Sequence, residues 1–230
     1  MENKLLLKGR KKLLFLLCFL CVSMNSFGFI IKQHYLQTND PSEKYVISYN
    51  TAFKFEFDGG TSWKITNIET NMVSTSGVGN LDVMFDTPGT YLITVSETIN
   101  HNQGSCEHNH YPEKIMIEVS PYKLDFDFST IKFSKGLKGG QSANGSTLKI
   151  DVFFSSYNNN TVVYNKIFKT AGVGTSVAGN IKDGGMTLQQ GKNTLEFQLN
   201  GQATKDTYIM FDFVDVNDGV QSYGFTNKIQ

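Results

Sequence analysis

Three of the four histidines in this 230-residue chain fall within ten residues. They lie in the run His101-Asn102-Gln103-Gly104-Ser105-Cys106-Glu107-His108-Asn109-His110, with Cys106 and Glu107 between them. Imidazole nitrogen and thiolate sulfur are ligands that suit Zn²⁺. In an extended segment His108 and His110 project to the same side. The expectation is a zinc clip made by His101, Cys106, His108 and His110, ordering a connection that a hairpin would normally keep short. The spacing matches no standard zinc pattern, and a solvated polar loop accounts for the same residues. Cys106 beside histidine also has two members of a nucleophilic pair, but the sequence identifies no orienting third group and no oxyanion donor.

A second group is oxygen-rich: Asp212, Asp215, Asn217 and Asp218. Carboxylates this close suggest Ca²⁺, but their spacing is not that of a calcium loop. Asn217-Asp218-Gly219 is hairpin-turn chemistry and explains the same residues. A third group is aromatic. A glycan-binding face would present rings on one exposed side, and Tyr157, Tyr164 and Tyr223 are the candidates. The chain has no glycine-rich phosphate loop before a helix, no Gly-x-Ser-x-Gly elbow and no His-Glu-x-x-His pair. No reaction is legible, and the chain reads as non-catalytic.

The elements that would position these groups are strands. Phenylalanine contributes 18 residues and alanine only five, a balance that disfavours helices. Residues 1–28 come first and read as a signal peptide. Lys8, Arg10, Lys11 and Lys12 form a basic head, Leu13 to Val22 an apolar run, and Ser26-Phe27-Gly28 a small-residue cleavage site. The apolar run is about half the ~20 residues a bilayer span needs, so the mature chain is expected to have no transmembrane span. Without residues 1–28, 16 lysines face 20 acidic residues, a net of −4, and no arginine remains. That argues against nucleic acid as a partner. Cys18 and Cys21 leave with the segment, so Cys106 has no partner for an intramolecular disulfide.

From residue 45 onward the apolar period is two. Phe53, Phe55 and Phe57 alternate with Lys54 and Glu56, and Ile115, Ile117 and Val119 with Met116 and Glu118. Leu148, Ile150 and Val152, then Leu195, Phe197 and Leu199, then Ile209, Phe211 and Phe213 continue the pattern. Val73 to Asn80 is Ser/Gly-rich and reads as a loop. Lys135 to Ser146, with four glycines, reads as a flexible connection. Val162 to Phe168 reads as an irregular apolar stretch with a bulge. Ser120-Pro121 is the expected boundary between domains at 45–120 and 121–230. The fold expected is all-β: two tandem immunoglobulin-like β-sandwich domains after a signal peptide.

Asp86-Thr87-Pro88-Gly89-Thr90-Tyr91 has the Asp-x-x-Gly-x-Tyr corner of immunoglobulin-like sandwiches, where the tyrosine hydroxyl ties the chain back to a nearby backbone group. With the closing strand Lys114 to Val119, it makes residues 45–119 similar to the PKD family of extracellular modules. The family's Asp-Phe-Gly-Asp-Gly turn survives only as Phe57-Asp58-Gly59-Gly60. The second half resembles the TraQ-type conjugal transfer proteins of Bacteroidetes conjugative transposons. The carrying residues are Phe133-Ser134-Lys135-Gly136, the strand Thr147 to Phe154, and Phe213-Val214-Asp215-Val216-Asn217-Asp218-Gly219. The resemblance implies a structural or assembly role in conjugative transfer, and surface adhesion is the companion reading. The protein is expected to be exported to the periplasm or cell surface of a bacterium and to meet protein partners at the envelope. A glycan- or metal-binding surface module is the alternative.

Overall fold

The computed structural model describes residues 42–97, 111–225 and 229–230. Among them every long element is a strand, and the one helical turn is a three-residue 3₁₀ segment, Lys182–Gly184. The chain is all-β, as its period-two apolar pattern requires.

Seven strands fill the first part: β1 (Ser42–Ser48), β2 (Thr51–Phe55), β3 (Thr61–Asn67), β4 (Met72–Val78), β5 (Leu81–Phe85), β6 (Gly89–Glu97) and β7 (Lys114–Ser120). Five make a sheet in the order β1-β7-β6-β3-β4, and β2 pairs with β5. β1 runs parallel to β7, from Ser42 opposite Lys114 to Ser48 opposite Ser120. Both sheets turn alternate residues into one core, which includes Phe53, Leu81 and Phe85 from the small sheet and Ile65, Ile93, Ile115 and Ile117 from the large one. Period-two burial on facing sheets is the sandwich arrangement. At the Pro-Gly corner Tyr91 Oη donates to the Thr87 carbonyl at 3.0 Å, while its ring meets Phe85 edge-on at 4.9 Å.

Residues 73–80, expected as a loop, are mostly strand β4. Its Ser/Thr/Gly content has a packing reason. Trp63 on β3 donates its Nε1 hydrogen to the Gly79 carbonyl at 2.9 Å, and its ring lies over Gly77. A Cβ at Gly77 would sit 2.4 Å from the ring, so only glycine fits there.

The second part holds β8 (Tyr122–Phe133), β9 (Thr147–Ser156), β10 (Val162–Tyr164), β11 (Ile167–Ala171), β12 (Ala178–Ile181), β13 (Met186–Leu188), β14 (Gly191–Asn200), β15 (Met210–Val214) and β16 (Val220–Gly224). Seven of them form one sheet, β16-β15-β11-β12-β14-β9-β8, and β10 pairs with β13. Its core is ring-rich: Phe168, Phe197, Phe211 and Phe213 are fully buried with Leu148, Ile150 and Leu195. The stretch 162–168 is two strands, β10 and β11, not one bulged strand. Residues 135–146 are also more tightly held than their glycines suggest. Gly139 N donates to the Gln230 carbonyl at 2.7 Å, and Ala143 N to the Gly201 carbonyl at 2.8 Å. Isolated bridges join Gly139 to Ala203 and Ser142 to Gln202.

The two buried clusters lie on either side of Pro121, within one compact unit.

Candidate functional site

One residue, Pro121, separates β7 from β8. So short a link forces the end of one sheet against the start of the next, and polar groups there must find partners. Tyr49 N donates to the Ser120 carbonyl at 3.0 Å, and Tyr157 N to the Pro121 carbonyl at 2.9 Å. The rings of Tyr49 and Tyr157 meet edge-on at 5.9 Å.

The β15–β16 hairpin turn completes this junction. Asp215 is buried, and its Oδ1 accepts from the backbone N–H groups of Asn217 at 2.7 Å and Gly219 at 2.8 Å. Asp218 takes a positive φ of 64°, which aspartate tolerates better than most residues. A Cβ at Gly219 would lie 2.7 Å from Asp215 Oδ2, so the turn also needs glycine. With its backbone fixed, Asn217 aims its amide outward. Nδ2 donates to Ser48 Oγ at 2.9 Å and to the Tyr122 carbonyl at 2.8 Å. One side chain therefore bonds β1, in the first core, and β8, in the second.

Burial pushes the Asp215 carboxyl above its ordinary value, against the two backbone donors that favour the anion. Behind it, Tyr164 is buried, and its hydroxyl donates to the Val214 carbonyl at 2.8 Å. Burial first, and then the Asp215 charge, raises that phenol well above its usual range. Lys166 pairs with Asp218 at 2.6 Å on the exposed side of the turn.

Two residues beyond Gly219, Gln221 does for β8 what a strand would do. Its Nε2 donates to the Leu124 carbonyl at 2.7 Å, and its Oε1 accepts from Phe126 N at 3.3 Å. β8 and β16 are the two ends of the seven-stranded sheet. The sheet therefore curls until its edges share a side chain. Tyr223 on Phe128 (5.4 Å) and Phe225 on Phe133 (6.0 Å) continue the seam. In sum, the Asp215 turn, Asn217 and Gln221 form a structural clasp.

His101, Cys106, His108 and His110 lie outside the described residues. Among the described residues no three His, Cys, Asp or Glu side chains group as metal ligands. The oxygen-rich group is a turn: Asp215 accepts backbone donors, Asp212 accepts from Ser222 Oγ at 2.5 Å, and Asp218 pairs with Lys166. The tyrosines do not make one exposed ring. Tyr164 is 1% exposed because it fills the ring-rich core, Tyr223 stacks on Phe128, and Tyr157 packs on Tyr49 at the junction.

A shallow depression of about 320 Å³ on the outer face of the seven-stranded sheet is lined by Ser129, Thr130, Lys132, Lys149, Ile150, Asp151 and Thr194. Asp151 accepts from Lys192 at 2.7 Å and Thr194 at 2.6 Å, bonds that hold its carboxyl below the usual range. Lys149 pairs with Glu196 at 3.3 Å. Cross-strand charge pairs account for these groups.

Sequence reasoning missed Gln221 and the clasp role of Asn217. Their partners lie 95 or more positions away, and an Asn or Gln near a turn carries no local signal of such reach. The fold and clasp together define an all-β chain built around two aromatic-rich cores. Comparison with known proteins finds no family model that matches it and no curated protein similar to it.

Proposed function

We propose that this chain is a non-catalytic exported protein of the bacterial cell envelope that acts through protein–protein contacts, as an assembly component of conjugative transfer or of surface adhesion. The observation that carries the reading is the edge strand β4. It is seven residues long, holds no charged residue and no proline, and exposes Met72, Val73 and Val78. Natural sheets blunt their edges with charge, proline or cover, because unpaired backbone groups invite another strand. Among the described residues no strand covers this edge, and an uncovered apolar edge suits strand addition by a partner. Two of the buried polar groups in the second part, Asp215 and Asn193, are occupied in holding turns, which suits a scaffold. The PKD-like corner and the TraQ-like hairpin support the same reading from sequence.

A photo-cross-linking residue at position 78, in cells carrying the whole gene, tests it. The expected result is a discrete cross-linked protein adduct in the envelope fraction, with lower conjugation frequency or adhesion when the gene is deleted. No adduct, together with unchanged transfer and adhesion, would overturn the proposal.

The density of ligand-type residues from His101 to His110 favours a second reading, a zinc-binding surface loop. Metal analysis of the purified protein should find stoichiometric zinc that is lost in His108→Ala. Metal-free protein, or zinc unchanged by the substitution, removes this reading.

A further inference from the structure

We infer that Asn144 is a self-modification site: the backbone nitrogen of Gly145 attacks its side-chain amide and converts the residue into aspartate and isoaspartate. The inference goes beyond the contact-protein reading and does not depend on it.

Asparagine is a thermolabile residue, and glycine after it removes the Cβ that would hinder the attacking nitrogen. A bond forms from Gly145 N to Asn144 Cγ, and the bond from Cγ to Nδ2 breaks. Ammonia leaves, carrying the amide hydrogen of Gly145. Water then opens the cyclic imide at one of its two carbonyls. Attack at Cγ leaves aspartate in an ordinary backbone. Attack at the backbone carbonyl leaves an isoaspartyl link, with the chain running through Cβ and Cγ. Water is the sole co-reactant.

The chain has two Asn-Gly pairs, Asn144-Gly145 and Asn200-Gly201, and the fold sets them apart. Asn144 and Gly145 are exposed at the centre of a turn closed by Ser146 N, which donates to the Ala143 carbonyl at 3.1 Å. A Cβ built on Gly145 would meet nothing within 4 Å, and among the described residues no acceptor takes its N–H. Ring closure there displaces only the turn's own backbone. Asn200 instead ends β14, opposite Ala178. Gly201 is clamped: its carbonyl accepts from Ala143 N at 2.8 Å, and a Cβ on it would run into the Ser176 carbonyl oxygen. Ser176 N donates to the Gln202 carbonyl at 2.9 Å, and Gln202 N to the Ser176 hydroxyl at 3.1 Å. Closure at Asn200 therefore waits on local opening of the sheet end. Modification at 144 also reaches distant strands. Ala143 N is bonded to Gly201, and the Ser146 carbonyl accepts from Leu199 N at 2.9 Å. An isoaspartyl link lengthens the backbone between these two anchors, which loosens both bonds.

Peptide mapping tests this, on the folded chain purified from cells expressing the whole gene and incubated at mildly alkaline pH. Cleavage after lysine separates the two pairs into residues 139–149 and 193–205. The first peptide should gain the mass of an amide exchanged for a carboxyl and split into two isomers, aspartyl and isoaspartyl. Asn144 should convert at least ~10-fold faster than Asn200 in the folded chain, and the two rates should converge in denaturant, because only the fold protects Asn200. Asn144→Gln, whose longer side chain closes a ring far more slowly, should abolish conversion at 144 and leave Asn200 unchanged. In the isoaspartyl form the amides of Ala143 and Leu199 should exchange faster with solvent. No conversion at Asn144, a single aspartyl product, or conversion at Asn200 as fast as at Asn144 in the folded chain would overturn the site. Unchanged exchange at both amides would overturn its effect on the fold.

Discussion

The two parts of the molecule meet the same difficulty, the exposed sheet edge, and resolve it differently. In residues 122–225 the sheet bends round until β16 lends the Gln221 amide to the backbone of β8. In the first part, among the described residues, no strand pairs with the outer side of β4, and the slip in register against β3 that leaves Ser74 unpaired is the one irregularity along that edge. Closure favours a unit that keeps to itself, and an open edge favours one that joins others. The clasp at Asn217 joins the two, so the sealed part can hold the open part in place.

Four substitutions sharpen this contrast. Phe213→Ala should have the largest effect. The side chain is fully buried and packs on Phe126, Phe168 and Phe197 at 5.0 to 5.8 Å. Its removal should cost about 3–5 kcal/mol in denaturant titration. Gln221→Leu comes next. It leaves Phe126 N and Leu124 O without their partner, and about 1–3 kcal/mol should be lost, with faster hydrogen exchange confined to β8 and β16. A loss below the error of the titration would show that the seam is held by its stacked rings instead.

Asn217→Ala tests the joint. It removes the bonds to Ser48 and Tyr122 and should cost about 1–2 kcal/mol. Thermal unfolding should be a single transition in the wild type and should separate into two in the variant. The smallest effect is a pH slope. Burial raises the folded-state pKa of Asp215 above its unfolded value near 3.8. The folded chain therefore holds that proton more tightly than the unfolded chain. The Asp215 contribution to stability is most favourable below 3.8 and is lost as pH rises through the raised value. Asp215→Asn should remove that component, and the wild-type-minus-variant stability difference should decline with rising pH across the window. A difference that grows with pH would contradict the burial argument.

Much of this architecture could be read from period-two runs. Ile115, Ile117 and Val119 are buried as their alternation requires, and so are Leu195, Phe197 and Leu199. The Tyr91 corner was legible because its partner, Thr87, is four residues away. β4 was not, because strand propensity says little for Ser-Thr-Ser-Gly when the reason for the small residues is a tryptophan ring from the neighbouring strand. Residues 135–146 misled in the same way, since their partners lie at 201–203 and 230. Tyr164 looked like surface material because a phenol is amphipathic. A single carbonyl, that of Val214, is enough to let it enter the core. The candidate site was legible as a turn at Asn217-Asp218-Gly219. Its use as a clasp depends on Ser48 and Tyr122, which only the folded chain brings near.

Residue-resolved hydrogen exchange on the dilute chain tests the open-against-sealed contrast most directly. The amide of Phe126, bonded to the Gln221 side chain, should exchange slowly, while those of Ser76 and Val78, which alternate away from β3, exchange quickly. Ser76 and Val78 amides as protected as Phe126, or a Phe126 amide that exchanges as fast as theirs, would contradict it.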